Sequence, residues 1–207
     1  MNFEFCIFNL LTYYIIYIME KEIPHQSYPQ ATIQKGVGIG AGQVYLVLDN
    51  IRSKENVGSI FRTADAVGVK KIFLCGITPQ PKNFQYQVVS SKYQGNEKDK
   101  IAKTALGAET WVPWEYQAQT WRLLERLRDE GLELIALEQT KNSKNIFKYK
   151  VPKNKKIALV LGNEVRGLSP KILKYCDEVV HIPMYGKKES LNVAVAAGVA
   201  LYHIKLF

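Results

Sequence analysis

Short apolar runs at Val44–Leu48, Lys71–Cys75, Leu132–Leu137, Ile157–Leu161 and Val179–Ile182 have the length and the flanking turn residues expected of buried strands. Between them, apolar positions recur at helical spacing. Asn56–Val67 puts Ile60, Phe61, Ala64 and Val67 on one stripe, and Thr120–Glu130 sets Trp121, Leu124 and Leu127 against arginines. Pro170–Tyr175 reads as a short helix opened by Ser169-Pro170, and Asn192–Ile204 as an Ala/Val-rich buried helix. Strands alternating with helices predict an α/β domain of three layers around a mostly parallel sheet. Ligands of such sheets gather beyond the carboxyl ends of the strands, which selects the loops 49–58, 162–169 and 183–191.

The beginning of the chain does not share this pattern. Residues 3–19 are strongly apolar but carry Glu4 and no preceding Lys or Arg, unlike a secretory signal. From Phe5 to Met19 the run also falls short of the ~20 residues that cross a bilayer. Residues 1–19 are therefore expected to be an extension outside the working protein, which would begin near Met19. Residues 20–43 read as a flexible lead-in, with Gly36, Gly38, Gly40 and Gly42 in alternation. A dinucleotide fingerprint is met only in its looser form, by Gly36, Gly38 and Ala41, and it precedes a strand where it should follow one. The functional domain is expected over residues 44–207.

Lys and Arg number 28 against 19 Asp and Glu, giving a net charge of +9 that suits an anionic partner, nucleic acid before a lipid surface. Cys6, Cys75 and Cys176 lie far apart and form no CxxC or Cys/His cluster. They are expected to be small buried hydrophobes in a reducing, cytoplasmic setting.

The three loops hold the candidate chemistry. In the first, Asn56 is placed to cap a helix, Gly58 sits where a helix disfavours it, and Arg62 is expected to reach the space left open one turn earlier. In the second, Gly162 and Gly167 bracket Glu164 and Arg166. In the third, Ser190 and Asn192 precede the buried helix as candidate caps. Gly186-Lys187 there is a partial phosphate-loop match that lacks the first glycine, at His181, and the hydroxyl residue, at Lys188.

Together these segments resemble the three signature motifs of the SpoU (TrmH-like) family within the SPOUT superfamily of RNA methyltransferases. Asn56, Gly58, Arg62, Ala64 and Gly68 match N-x-G-x-x-x-R-x-A-x-x-x-G. Gly162, Glu164, Gly167 and Leu168 match G-x-E-x-x-G-[LI]. Ile182, Pro183, Met184 and Gly186, then Ser190, Leu191, Asn192 and Val193, match I-P-M-x-G and S-L-N-V. Ala194 stands where many relatives carry Ser.

The resemblance implies a deep trefoil knot in the last third of the chain and a homodimer whose active site is completed at the subunit interface. It implies S-adenosylmethionine as methyl donor, held around Gly162, Ile182, Met184 and Leu191, with no metal. It implies transfer to a ribose 2′-hydroxyl of RNA, with Arg62, Asn56, Glu164, Ser190 and Asn192 at the reaction centre. Lys54, Arg166, Lys187 and Lys188 are expected to contact RNA, as are Lys153, Lys155 and Lys156. Transfer RNA is the expected substrate ahead of ribosomal RNA, since no separate RNA-binding domain is recognisable ahead of the core. A non-catalytic RNA-binding member of the same fold is the main rival reading, and a membrane-surface protein the weaker one.

Overall fold

The computed structural model describes residues 42–82, 99–151 and 153–207. The apolar extension, its Cys6, the expected start near Met19 and the glycine run up to Ala41 lie outside the described residues.

Five of the seven strands coincide with the apolar runs. They are β1 (Gln43–Asp49), β2 (Lys71–Cys75), β4 (Glu133–Leu137), β6 (Lys156–Leu161) and β7 (Glu178–His181). The other two are β3 (Trp114–Gln117) and the two-residue β5 (Lys144–Asn145). The sheet order is β3-β2-β1-β6-β4-β7-β5, and every pairing is parallel. All the strands therefore end at one edge. Chain order is broken at β6, which enters between β1 and β4, while β7 lies on the far side of β4.

Both faces of the sheet are covered, which is why its central strands read as continuous apolar runs instead of alternating ones. Leu46, Leu48, Ile72, Leu74, Leu159 and Leu161 point to one face. There they meet α1 (Lys54–Val67), α2 (Lys100–Ala105), α3 (Ala108–Trp111) and α6 (Val193–Leu206). Val47, Phe73, Cys75, Leu134, Ala158 and Val160 point the other way, onto α4 (Thr120–Asp129) and α5 (Pro170–Leu173). On α4 the buried side chains are Thr120, Leu123, Leu124 and Leu127. Trp121, expected on that face, is half-buried at its margin, flanked by the Arg122 guanidinium and the Lys171 ammonium.

Three local expectations change. Ser53, not Asn56, caps α1, its hydroxyl accepting from the Asn56 N–H at 3.1 Å. That places Asn56 in the first turn and frees its side-chain amide. Gly58 does not open space for Arg62. A Cβ there would lie 2.3 Å from the Ile101 carbonyl oxygen and 2.1 Å from Thr104 Oγ1. The glycine lets α2 press against α1, and Arg62 is on the solvent side. Finally, α6 is not buried all round. Ala197, Ala200, Leu201 and Ile204 are buried, whereas Val195 is 52% and Tyr202 47% exposed. A pattern apolar on every side cannot distinguish burial within the subunit from a face left for something else to cover.

Cys75 is buried and Cys176 half-buried, as small hydrophobes. Burial pushes both thiols up to about 12, so they stay protonated at neutral pH. Among the described residues no helix is long and apolar enough to cross a membrane.

Candidate active site at the carboxyl edge of the sheet

The parallel arrangement delivers the ends of β1, β4, β6 and β7 to one edge, and the loops leaving them converge. Glu164 is the hinge of this convergence. Its carboxylate accepts from the Arg52 N–H at 2.9 Å, the Ser53 N–H at 3.0 Å and the Asn56 amide at 3.0 Å. The loop after β6 is thereby bound to the start of α1, more than a hundred residues earlier. Asn56 continues the chain, its Oδ1 accepting from the Asn192 amide at 3.0 Å. Asn192 in turn caps α6, its Oδ1 accepting from the Ala194 N–H at 2.9 Å and the Val195 N–H at 3.4 Å. One polar thread thus runs from the second loop through α1 to the third loop. Partial burial raises the Glu164 carboxyl's pKa. The two backbone N–H groups and the Asn56 amide outweigh that effect and hold it below the usual carboxylate range.

The second loop is fixed from below as well. Asn163 donates to the Asn50 carbonyl at 2.8 Å and accepts the Val165 and Arg166 N–H groups, each at 3.0 Å. Glu138, directly after β4, accepts the Leu168 N–H at 2.7 Å and the Gln139 N–H at 2.9 Å. Gly167 has φ of 62°, and a Cβ there would lie 2.2 Å from a Glu138 oxygen. Glycine meets both demands without strain, whereas any other residue would have to displace the Glu138 carboxylate.

Between these loops lies a cavity of about 330 Å³. Gly162, Ile182, Met184 and Leu191, expected to hold a donor, all line it, as do Glu164, Arg166, Ser190 and Asn192. Asn56 touches its wall through Glu164 and Asn192. Arg62 does not line it: the side chain is exposed on α1 and makes no hydrogen bond or ion pair among the described residues. Lys54, Lys187 and Lys188 are exposed around the same edge but outside the cavity. Ser190 is exposed and caps nothing, in contrast to the expectation for it. Lys155 and Lys156 lie at the amino end of β6, across the sheet from the site, and Lys155 pairs with Glu133 at 3.1 Å.

Sequence reasoning missed Glu138 and Asn163. The rule that selected three loops applies equally to the end of β4, and Glu138 follows that apolar run directly. Among the described residues no group of three or more His, Cys, Asp or Glu side chains is arranged to hold a metal.

Next to the cavity, α1 and α6 form an open groove of about 760 Å³ lined by Asn56, Ser59, Thr63, Val195, Gly198 and Tyr202, among others. Asn192 lines both places and Asn56, its hydrogen-bond partner, lines the groove, so whatever fills the groove reaches the polar thread of the site.

These features define an α/β protein with a ligand cavity at the carboxyl edge of a parallel sheet, gathered from three loops. Residues 43–202 match the SpoU rRNA Methylase family, and the chain belongs to that family. A tRNA (guanosine(18)-2′-O)-methyltransferase of Aquifex aeolicus is 33% identical over 74% of this chain and 64% of its own length. A 23S rRNA (guanosine-2′-O-)-methyltransferase of Neisseria meningitidis is 32% identical over 75% of this chain and 55% of its own. An AdoMet-bound rRNA methyltransferase from Sinorhizobium meliloti superposes with a TM-score of 0.65 at 26% identity, covering 81% of this chain and 57% of that one. The chain thus spans between 55% and 64% of the length of the first curated relatives it matches.

Proposed function

We propose that the protein is an S-adenosylmethionine-dependent methyltransferase that modifies a ribose 2′-hydroxyl of RNA, acting in the cytoplasm as a homodimer. The observation that carries this reading is that Asn56 at the start of α1, Glu164 after β6 and Asn192 before α6 are joined by hydrogen bonds at the wall of one cavity. The family's motifs would serve no common purpose if those loops lay apart. The C-terminal segment is read as the family's trefoil knot, a reading supported by the entry of β6 between β1 and β4 and the placement of β7 beyond β4.

The cavity suits the donor. Its volume of about 330 Å³ falls in the range for small-molecule sites. Leu161, Ile182, Met184 and Leu191 offer apolar contact, and the two carboxylates of Glu138 and Glu164 suit a ligand with positive charge. When bound, S-adenosylmethionine supplies a methyl group carried on a sulfonium. In this reading Gly162, Ile182, Met184 and Leu191 hold it, and Asn56, Glu164, Ser190 and Asn192 orient the groups around it.

Arg62 has the remaining task. A guanidinium stays protonated in almost any site, so its role is to stabilise the developing alkoxide and clamp the substrate phosphate rather than to accept a proton. Its exposed place on α1, outside the cavity, fits a reaction centre completed when a second copy seats in the α1–α6 groove. The apolar exposure of Val195 and Tyr202 supports that occupant.

Lys54, Arg166, Lys187 and Lys188 contribute a basic margin for RNA phosphates. Transfer RNA is the favoured substrate in this reading, with ribosomal RNA as the alternative; the similar proteins include enzymes of both kinds.

Methyl transfer to bulk tRNA and rRNA tests the reading, with Arg62→Lys as the informative variant. It keeps the charge and loses the planar fork, so kcat is expected to fall roughly a hundredfold with little change in donor affinity. Near-normal turnover of Arg62→Lys would contradict the assigned role.

A further inference from the structure

The cavity holds an imbalance of charge. Glu138 and Glu164 both line it, and neither is within ion-pair distance of a Lys, Arg or His among the described residues. Arg166 is the only Lys or Arg in its lining, and the side chain is exposed. The two carboxylates are not equivalent. Glu164 is engaged by three donors on its α1 side. Glu138 accepts one N–H on each oxygen, from Gln139 and Leu168, and a carboxylate has about four acceptor positions. Half of its accepting capacity is thus left within a half-buried cavity, where a charge is screened less than in water.

We infer that Glu138 makes this cavity prefer the positively charged methyl donor over its neutral-sulfur product. The inference rests on the reading of the cavity as a donor site, and adds to it a residue outside the three motifs. S-adenosylmethionine and S-adenosylhomocysteine share the adenosine, the ammonium and the carboxylate. They differ by the methyl group and by the charge on sulfur, because the sulfur keeps the bonding pair when the methyl leaves. A carboxylate lining the cavity attracts the first more than the second and favours exchange of spent product for fresh donor.

The test is calorimetric titration of the full chain with each ligand separately, for wild type and Glu138→Gln. The expected result is a loss of about tenfold in affinity for S-adenosylmethionine and of less than about threefold for S-adenosylhomocysteine. Glutamine keeps one acceptor for the backbone N–H groups but removes the charge, so any loosening of the loop weakens both ligands alike and cancels in the ratio. Equal losses, or none, would overturn the role of Glu138 alone. Failure of wild type to bind either ligand would overturn the donor-site reading beneath it. Wild type also supplies a measurement that needs no variant: raising the salt concentration is expected to weaken S-adenosylmethionine more steeply than S-adenosylhomocysteine. Equal slopes would contradict the proposal even if Glu138→Gln did not fold.

Discussion

Glu164 shows how one side chain couples stability to the site. Its three hydrogen bonds tie the loop after β6 to the first turn of α1, and each favours the charged form. The carboxyl therefore titrates below its unfolded value. Its contribution to folding is present in full well above the ordinary glutamate range and is lost as the pH falls through the lower, folded value. Glutamine in its place offers one acceptor to three donors and carries no charge. Urea denaturation of wild type and Glu164→Gln is expected to show a gap in unfolding free energy at pH 7 that narrows by pH 3. A gap independent of pH would mean that the negative charge contributes nothing to holding the loops together. Glu138 belongs to the same scale: it fastens Leu168 beside Gly167, where a Cβ would press on its carboxylate.

At the scale of elements, the strands with two covered faces were legible because burial on both sides leaves continuous apolar runs. β1, β2, β4, β6 and β7 all carry that signature and were found within a residue or so of their ends. β3 was not legible. Its Trp-Glu-Tyr-Gln stretch lies at the sheet edge with no position fully buried, and Glu115 there serves as partner to Lys71 and Arg126. The short α2 and α3 likewise show too few turns for a periodicity to register. Capping was legible in kind but not in place. Ser53, Asn56, Ser190 and Asn192 are all good cap residues, and only the tertiary partners decide which ones cap. Asn56 is drawn away to Glu164 and Asn192, a choice fixed by contacts across more than a hundred residues. Gly58 is the instructive case. The sequence shows that something must come close, and the structure identifies it as the α2 backbone.

For the whole molecule, Gly162, Glu164, Ile182, Met184, Ser190, Leu191 and Asn192, which line the cavity, were legible through the motifs, whereas the face that remains uncovered was not. An Ala/Val-rich helix reads as buried, yet α6 presents Val195 and Tyr202 to a groove continuous with the site through Asn56 and Asn192. If a second copy occupies that groove, placing a charge in it separates the subunits and empties the reaction centre of its partner contribution. Val195→Asp is expected to sediment as a monomer, with methyl transfer reduced at least about a hundredfold. Its thermal unfolding should remain cooperative, since the position is exposed within one subunit. A dimeric Val195→Asp protein would show that the copies meet elsewhere.

The claim on which the molecule's reading depends is that methyl groups pass from S-adenosylmethionine to ribose 2′-oxygens. The chain incubated with methyl-labelled donor and bulk RNA, followed by complete alkaline hydrolysis, measures this directly. A 2′-O-methyl removes the hydroxyl that alkali needs to cleave the neighbouring phosphodiester. Label is expected in alkali-resistant dinucleotides from tRNA, at a level that collapses in Arg62→Lys. Label recovered in mononucleotides as methylated bases, or RNA bound without any label, would contradict the claim.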